Sequence, residues 1–310
     1  MTLFDLPPML PRDASLEAVV ESLRSADPNG SRMSRVLRET FDQLYDGQHT
    51  GRYHLGQLFK TEKTHFGTLV EINLQREFSF ANGELLDYQI AGHEVDCKFS
   101  HTGAWMLPME SFDQLILVLR ADDETSLWSA GVVRVTKENR RESENRDKKT
   151  GLNAIGRSRI VWLQQNARMQ PNALLELSTE EVTRVLAPKS GQKRLNELFR
   201  VATNRRLSRT IIATVAQQDD YMKRVRTNGG SRSALAPEGF LILGGDYSVQ
   251  RQIAENLGAT VPSPGEFVSV RVVPTTPATM SAVSLDGRWW RLARDGDEIT
   301  TAAPSLKNGI

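Results

Sequence analysis

Apolar residues in the first quarter of the chain recur at the spacing of an amphipathic helix in three separate stretches. The first, SLEAVVESLR at 15–24, places four apolar side chains on one face, namely Leu16, Val19, Val20 and Leu23. The sequence DPNG at 27–30 ends this helix. The same period predicts a second helix over 33–44 and a third over roughly 62–77.

Short apolar or alternating runs follow, which are typical of strands. The predicted strands are LLDYQI at 85–90, EVDCKF at 94–99, QLILVLR at 114–120 and SAGVVRV at 129–135. Helices that lead into a mixed sheet predict an α/β (α+β) domain. The stretch 136–151 is dense in charge, which indicates a solvated loop or a charged extension of an element. A domain boundary is expected near QNARMQPN at 165–172.

The second half of the chain changes character. Its predicted elements are short helices around TEEVTRVL, RLNELFRVATNRR, TIIATVAQ and QDDYMKRVR, then the extended pieces FLILGG, EFVSVRVV and GRWWRL. Several short helices followed by strands are the outline of a winged helix-turn-helix, a fold that places one helix in the major groove of DNA. Many small α+β domains share this outline, so the pattern leaves the fold open.

Length and composition restrict the class of protein. The 310 residues can bury a large core and suffice for two domains, and 39% hydrophobic with 25% charged residues is ordinary for a soluble globular protein. No apolar run is long enough to cross a bilayer, and the N-terminus lacks the features of a secretion signal. The single cysteine, Cys97, excludes an internal disulfide and fits a reducing cytosol, so we expect a cytoplasmic protein with no membrane partner.

Positive and negative charges nearly balance over the whole chain, but they are unevenly distributed along the sequence. The net charge is only +1, yet the window 189–232 contains eleven Lys or Arg and three acids, which leaves it at +8. A local excess of this kind is the electrostatic footprint expected of a phosphate-binding surface.

The sequence LLDYQIAGHEVDCKFS at 85–100 places charges where two strands would meet. Gly92 can adopt a positive φ, so we predict a hairpin with a tight turn at Ala91-Gly92. Counting outward from this turn sets Asp87 opposite Asp96, and directly opposed residues have Cβ atoms roughly 4.5–5.5 Å apart. Two carboxylates at that separation repel each other unless a proton or a cation lies between them.

Alternation along the second strand adds an amine to this pair. Lys98 shares the face of Asp96, whereas three intervening side chains point into the core, namely Val95, Cys97 and Phe99. Carboxylate oxygens suit Mg²⁺, which can polarise a phosphate and lower the pKa of a water, and a lysine beside it can offset developing negative charge. The set therefore indicates phosphodiester hydrolysis, with Glu71 on the third helix as a fourth member.

A simpler interpretation stays open at this point. An Asp-x-Lys triplet is weak evidence, because Asp96 and Lys98 could form an ion pair on an exposed strand. The chain contains a second such triplet at 147–149, within the charged stretch, which we interpret as solvated. The alternation with apolar residues, the facing Asp87 and the helix that carries Glu71 favour the metal site.

The pattern of Asp87 followed by Asp96, Cys97 and Lys98 resembles the restriction-endonuclease-like superfamily, whose sites have an Asp, a spacer, then Asp or Glu, any residue, and Lys. The longer string at 44–78, LYDGQHTGRYHLGQLFKTEKTHFGTLVEINLQREF, is similar to NaeI-type (type IIE) restriction endonucleases. IAGHEVDCKFS, GAWMLPMES, TIIATVAQQDDYMKRVR and APEGFLILG carry the same resemblance, which runs over nearly the whole chain.

The resemblance implies a fold, a site and partners. It implies an endonuclease domain at 1–168 with a restriction-endonuclease-like sheet, a linker at 169–178 and a winged-helix, catabolite-activator-like DNA-binding domain at 179–310. The implied catalytic residues are Glu71, Asp87, Asp96 and Lys98; the implied Mg²⁺ ligands are Asp87, Asp96, Glu71 and the backbone oxygen of Cys97. Homodimers of the family act on palindromic duplex DNA, and a second bound copy of the site activates cleavage at the first.

Candidate DNA contacts come from the basic window, from the residues just after the second strand of the hairpin and, for Thr61, from the resemblance, which implies a position near the site. They are Thr61, Trp105, Lys193, Arg194, Arg205, Arg206, Arg209, Lys223, Arg224 and Arg226. Most of these cations would contact phosphates and supply affinity rather than base discrimination, although any one of them could merely solubilise a helix face. Two rival functions remain, a catalytically idle DNA-binding protein and a repair endonuclease that nicks one strand.

Overall fold

The computed structural model describes residues 12–142, 148–277 and 279–306. The helices of these ranges are α1 Ala14–Ala26, α2 Ser31–Tyr45, α3 Gly47–Thr50, α4 Lys60–Phe78, α5 Ala154–Ser158, α6 Thr179–Leu186, α7 Gly191–Val201, α8 Arg209–Ala216, α9 Ser231–Leu235 and α10 Ser248–Asn256. The strands are β1 Ala81–Asn82, β2 Tyr88–Ile90, β3 His93–Phe99, β4 Leu115–Asp122, β5 Leu127–Arg134, β6 Val161–Arg168, β7 Leu207–Ser208, β8 Phe240–Gly244, β9 Glu266–Thr275, β10 Val283–Leu285 and β11 Arg288–Leu292. Short 3₁₀ helices lie at Leu55–Gln57, Met109–Ser111, Lys137–Asn139, Tyr221–Val225 and Ala236–Glu238.

The chain divides into two compact units. One contains the residues up to Leu44 together with Phe59–Gln170, and the other contains Tyr45–Leu58 together with the residues from Pro171 onward. The segment Tyr45–Leu58 therefore lies with the second unit, although its position in the sequence had suggested the first. Its helix α3 packs so closely on α8 that a Cβ on Gly47 would lie 2.1 Å from Thr214 Oγ1.

The first unit is built on a six-stranded mixed sheet in the order β1-β2-β3-β4-β5-β6. Strands β3 and β4 are parallel, and every other neighbouring pair is antiparallel. Strand β4 is buried along most of its length, as expected of a central strand whose two faces are both covered. The mixed α/β class predicted from the sequence is confirmed.

Helix ends in both units follow from local hydrogen bonds. Asp13 precedes α1 and its Oδ1 accepts the Leu16 main-chain N–H at 3.0 Å, which satisfies one of the free donors of the first turn. At α6, the Ser178 hydroxyl accepts the Glu181 N–H at 3.2 Å and the Glu181 carboxylate accepts the Ser178 N–H at 2.8 Å. This reciprocal pair is a capping box, and it begins the helix where the sequence predicts.

The second unit contains a sheet in which β9 is central. Strands β7, β8 and β11 each pair with β9 in antiparallel fashion, and β10 continues the sheet beyond β11. The helices predicted around TEEVTRVL, RLNELFRV and TIIATVAQ correspond to α6, α7 and α8. The helix predicted over QDDYMKRVR is wrong: this segment forms a 3₁₀ helix at Tyr221–Val225, and α10 is a helix that the pattern did not predict.

Among the residues that the structure describes, no helix combines the length and the apolar character that crossing a bilayer requires.

Candidate active site

Strands β2 and β3 form the predicted hairpin with the predicted turn. Ile90 pairs with His93 and Tyr88 with Val95, so one further step in this register places Asp87 across from Asp96. The turn residues have φ values of 52° at Ala91 and 78° at Gly92. Positive φ at both central positions matches the right-handed twist of a two-residue hairpin. We confirm the register on which the predicted carboxylate pair depends.

The Lys98 ammonium lies among three oxygen atoms of this hairpin. Its Nζ donates hydrogen bonds to Asp96 Oδ1 and to the main-chain carbonyl of Cys97, the latter at 3.1 Å, and lies 3.8 Å from Asp87 Oδ2. Asp96 is 4% exposed, so its charge is shielded from bulk water. A positive group thus already occupies the point on which two carboxylates and a carbonyl converge.

Each carboxylate is also held by a second hydrogen bond. Asp87 Oδ2 accepts the Cys97 main-chain N–H at 2.7 Å, which fixes the side chain across the hairpin. Asp96 Oδ2 accepts the hydroxyl of the fully buried Ser111 at 2.5 Å. Ser111 belongs to the 3₁₀ helix Met109–Ser111 and did not figure among the predicted site residues, because a serine fifteen positions away carries no local signal.

A further carboxylate shapes the loop that precedes Asp87. The side chain of Glu94 accepts three consecutive main-chain N–H groups, from Glu84 at 2.8 Å, Leu85 at 3.2 Å and Leu86 at 2.9 Å. These bonds, led by the one from Glu84, lower the pKa of Glu94. These three bonds brace the main chain immediately before Asp87.

Glu71 lies on α4 beside this hairpin. The Tyr88 hydroxyl donates to the Glu71 carbonyl at 2.7 Å and ties the helix to β2. Burial raises the pKa of the Glu71 carboxyl, an effect that Lys98 opposes and Asp96 reinforces. Within the described ranges, no three His, Cys, Asp or Glu side chains are gathered closely enough to form a metal cluster.

Burial also changes the protonation of the hairpin. It raises the pKa of Asp87 to about 7, and the neighbouring Asp96 carboxyl adds to this effect while the Cys97 N–H opposes it. Burial likewise raises the pKa of the Cys97 thiol, which therefore stays neutral. Cys97 accordingly offers its carbonyl, not a thiolate, to the site.

The donor set fits a hard divalent cation. Two carboxylates and one main-chain carbonyl supply oxygen atoms only, which is the ligand type that Mg²⁺ prefers. The ammonium among them shows that these oxygens already stabilise a positive charge at their centre. Burial is the largest cause of the raised pKa of Asp87, and the neighbouring Asp96 carboxyl adds to it, since two close carboxyls favour a shared proton or a cation.

The predicted DNA contacts occupy varied environments. Thr61 is exposed in the first turn of α4. Of the predicted cations in the second unit, five are exposed, namely Lys193, Arg206, Arg209, Lys223 and Arg226. Several cations already have partners within that unit: Arg205 donates to the Glu176 carbonyl at 2.7 Å, Arg206 to the Val261 carbonyl at 3.0 Å, Arg209 lies 2.6 Å from Asp246, and Arg224 lies 3.1 Å from Asp220.

Two of the predicted contacts are corrected by the structure. Trp105 is 4% exposed and donates its indole N–H to the Leu119 carbonyl at 2.7 Å, so it belongs to the core of the first unit. The Arg194 guanidinium donates to four main-chain carbonyls, among them Val215 at 2.6 Å and Ala216 at 2.7 Å. It thereby satisfies the carboxyl end of α8, which is a structural role.

Comparisons with known proteins extend over both units. A family model described as "Restriction endonuclease NaeI" matches residues 17–301. The "Type II restriction enzyme NaeI" of Lentzea aerocolonigenes is 48% identical to this chain over 299 residues, which cover 94% of this chain and 94% of that protein. The similarity is therefore not confined to the β2–β3 hairpin.

Proposed function

This chain belongs to the restriction endonuclease NaeI family, and from that premise we propose that it cuts both strands of a specific palindromic duplex DNA site with the aid of Mg²⁺. The resemblance predicted from the sequence is confirmed by both comparisons. Membership of this family makes the chain a site-specific endodeoxyribonuclease. The observation that carries the metal-dependent mechanism is the position of the Lys98 ammonium among the oxygens of Asp87, Asp96 and Cys97.

The chain's own residues would share the work as follows. Asp87, Asp96 and the Cys97 carbonyl would hold Mg²⁺, with Glu71 as a further predicted ligand. When bound, Mg²⁺ supplies polarisation of the phosphate, a lower pKa for a water and stabilisation of charge on the leaving oxygen. Lys98 would orient the attacking water and offset the negative charge that develops on the phosphate.

Preorganisation supports this assignment. Ser111 and the Cys97 N–H each donate a hydrogen bond that orients one of the two aspartates. Groups fixed in this way need little reorganisation during the reaction, which is the main source of electrostatic catalysis. An ion pair that served only solubility would need neither a buried serine nor a nearly buried carboxylate.

The second unit is the proposed DNA-binding effector. Helix α7 is followed by β7 and then by α8, and β7 and β8 both pair with β9; this order supports a winged-helix fold. The proposed domains are 1–168 for the endonuclease, 169–178 for the linker and 179–310 for the effector. The division between the two units after Gln170 lies inside that linker, whereas Tyr45–Leu58, within the proposed endonuclease domain, groups with the second unit.

Symmetry supports the proposed assembly. A palindromic site has twofold symmetry, so two copies of the chain, each with one active site, would cut the two strands. The effector of each copy would bind a second copy of the DNA site and activate cleavage at the first.

Cleavage of plasmid DNA tests the proposal. The protein is incubated with supercoiled and linear DNA in Mg²⁺ or in EDTA, and the ends are mapped. We expect discrete double-strand cuts with Mg²⁺ and no cuts with EDTA. The variants Asp96→Ala and Lys98→Ala should abolish the cuts. Gln89→Ala is the matched control, since Gln89 is exposed on β2 of the same hairpin, and it should cut normally.

The rival functions give different products. DNA that is bound but left uncut in Mg²⁺ would identify a catalytically idle binding protein. Circles that are nicked but never linearised would identify a strand-nicking repair enzyme.

A further inference from the structure

The second unit contains a cavity of about 410 Å³ that is lined by three arginines. We call it the arginine pocket and define it by Arg209, Arg226, Arg232, Asp246, Tyr247 and Phe267. Asp246 is the one acidic residue among the described residues that line it. The pocket therefore has a local excess of positive charge.

Arg232 is the unusual member of this set. One Nη donates to Gln250 Oε1 at 2.9 Å, and the same oxygen accepts the Gly244 main-chain N–H at 2.7 Å. The Nε of Arg232 is buried and, among the described residues, has no hydrogen-bond partner. Arg232 also has no carboxylate partner in that part of the chain, although burial is severe enough to lower its pKa. A guanidinium in this situation costs free energy unless an anion compensates it.

Asp246, the only carboxylate among the described residues of the lining, already has partners. Asp246 lies 2.6 Å from the Arg209 guanidinium through Oδ2, and its Oδ1 accepts the Gly265 main-chain N–H at 2.8 Å. Arg226 is exposed and has no carboxylate within ion-pair distance among the described residues. Two of the three arginines are thus left without a counter-charge.

We propose that the arginine pocket binds a phosphate group through Arg226 and Arg232. The planar guanidinium presents parallel N–H donors that match phosphate oxygens, and Arg226 and Arg232 both line the pocket. The phosphate can come from the backbone of DNA or from a free phosphate ion. This proposal rests on the proposed function only where DNA is taken as the source of the phosphate group.

The variant Arg232→Met in the full-length protein separates binding from stability. A buried guanidinium that awaits a ligand destabilises the fold, so its replacement by an apolar side chain should leave the melting temperature unchanged or higher. DNA affinity, measured by fluorescence anisotropy of a labelled duplex in EDTA, should fall on the order of tenfold at about 0.1 M salt. The slope of log affinity against log salt should become shallower by about 1.

Inorganic phosphate provides the second arm. At matched ionic strength, potassium phosphate should raise the melting temperature of the wild type more than of Arg232→Met. Arg288→Met is the control for loss of one surface cation, because Arg288 is an exposed residue outside the pocket, and it should behave as the wild type. Arg226→Met covers the case in which Arg232→Met fails to fold, since Arg226 is exposed.

The outcomes divide as follows. If Arg232→Met loses both DNA affinity and the stabilisation by phosphate, the pocket binds a phosphate group of DNA. If the variant loses only the stabilisation by phosphate, the pocket binds free phosphate. A wild type that binds no DNA but shows the Arg232-dependent phosphate effect would overturn the proposed function and keep the pocket. If both pocket variants match Arg288→Met in DNA affinity, salt slope and phosphate response, the pocket is refuted.

Discussion

The two units differ in the sign of the charge that they leave uncompensated. In the first, Asp87, Asp96 and Glu71 outnumber the single ammonium of Lys98. In the second, Arg226 and Arg232 line the arginine pocket, and the one carboxylate among its described lining residues, Asp246, is paired with Arg209 instead. Both arrangements cost free energy in the isolated chain, and each would be relieved by a ligand of the opposite charge, a metal cation in one case and a phosphate in the other.

A third arrangement in the same molecule shows what a structural charge looks like. Arg38 is 6% exposed and Asp123 is 1% exposed, and they form a bidentate ion pair to which Asp42 adds a contact at 2.8 Å. Here the two buried charges, those of Arg38 and Asp123, are paired with each other. Pairing, rather than burial, therefore separates structural charges from those that await a ligand.

The largest expected effect comes from removing the ammonium of the first unit. Lys98→Met should lower the cleavage rate by a factor on the order of 10³, because one fixed group that stabilises transition-state charge contributes about that much. DNA binding in EDTA should stay near the wild-type level, since the variant changes the chemistry and not the DNA-binding surface. Single-turnover cleavage and anisotropy on the same duplex measure the two quantities.

A cleavage rate within tenfold of the wild type would contradict the role of Lys98. The conservative variant Lys98→Arg adds a control for charge alone. It keeps the charge but changes its shape, so it should recover only part of the rate.

The next effect concerns stability and tests the contrast between paired and unpaired arginines. Arg38→Met should lower the free energy of unfolding by about 3–5 kcal/mol, since it leaves the buried Asp123 carboxylate without its partner. Arg232→Met should cause no such loss. Urea denaturation of both variants measures the difference.

If the two variants lost equal stability, the distinction between structural and ligand-binding charges would be wrong for this protein. Arg288→Met, on the surface of the second unit, gives the baseline for loss of an exposed cation.

Local patterns predicted the mixed α/β class and the register of the β2–β3 hairpin, and tertiary contacts explain what they missed. The register of Asp87 and Asp96 follows from the alternation and from the turn at Gly92, all within fifteen residues. Ser111 was missed because its contact with Asp96 depends on how the chain returns after β3. A helix over 218–226 was expected, but Lys223 N–H bonds to the Asp220 carbonyl in a 3₁₀ turn.

The errors among the predicted DNA contacts have a related cause. Composition counts a cation but does not show what its guanidinium faces. Arg194 faces the carbonyls that end α8, and Trp105 lies in the core, so neither is available to a ligand. Arg232 was counted in the basic window but was not among the predicted DNA contacts. It is the most informative arginine there, because its buried Nε has no hydrogen-bond partner among the described residues.

A smaller effect is expected from the loop that Glu94 organises. Glu94→Gln replaces a carboxylate that accepts three main-chain N–H groups with an amide that competes less well for them. Asp87 should lose its fixed position, and cleavage should fall roughly 10–100-fold, as for other residues that orient a metal ligand. The Mg²⁺ concentration that gives half-maximal cleavage should rise as well.

Glu84→Gln is the matched control in that loop, because Glu84 is exposed and only its main chain contacts Glu94. A loss of activity in Glu94→Gln no greater than in this control would exclude a positioning role.

The smallest effect is a pH dependence of stability that a metal should remove. Burial raises the pKa of Asp87 to about 7 in the folded chain, whereas in the unfolded chain this pKa is near its ordinary value of 3.8. Between pH 3.8 and pH 7 the folded state therefore binds more protons at Asp87 than the unfolded state does. This contribution to stability is complete below pH 3.8 and is lost as the pH rises through 7. In EDTA, the wild type should therefore lose melting temperature relative to Asp87→Asn as the pH rises from 5 to 8, by on the order of a degree or two, because the group is partly solvated. Mg²⁺ replaces the proton, so it should stabilise the wild type more at pH 8 than at pH 5 and should have little effect on Asp87→Asn. Equal pH profiles for the two proteins in EDTA would mean that the opposed carboxyls of the first unit do not share a proton, and the contrast with the arginine pocket would then rest on the second unit alone.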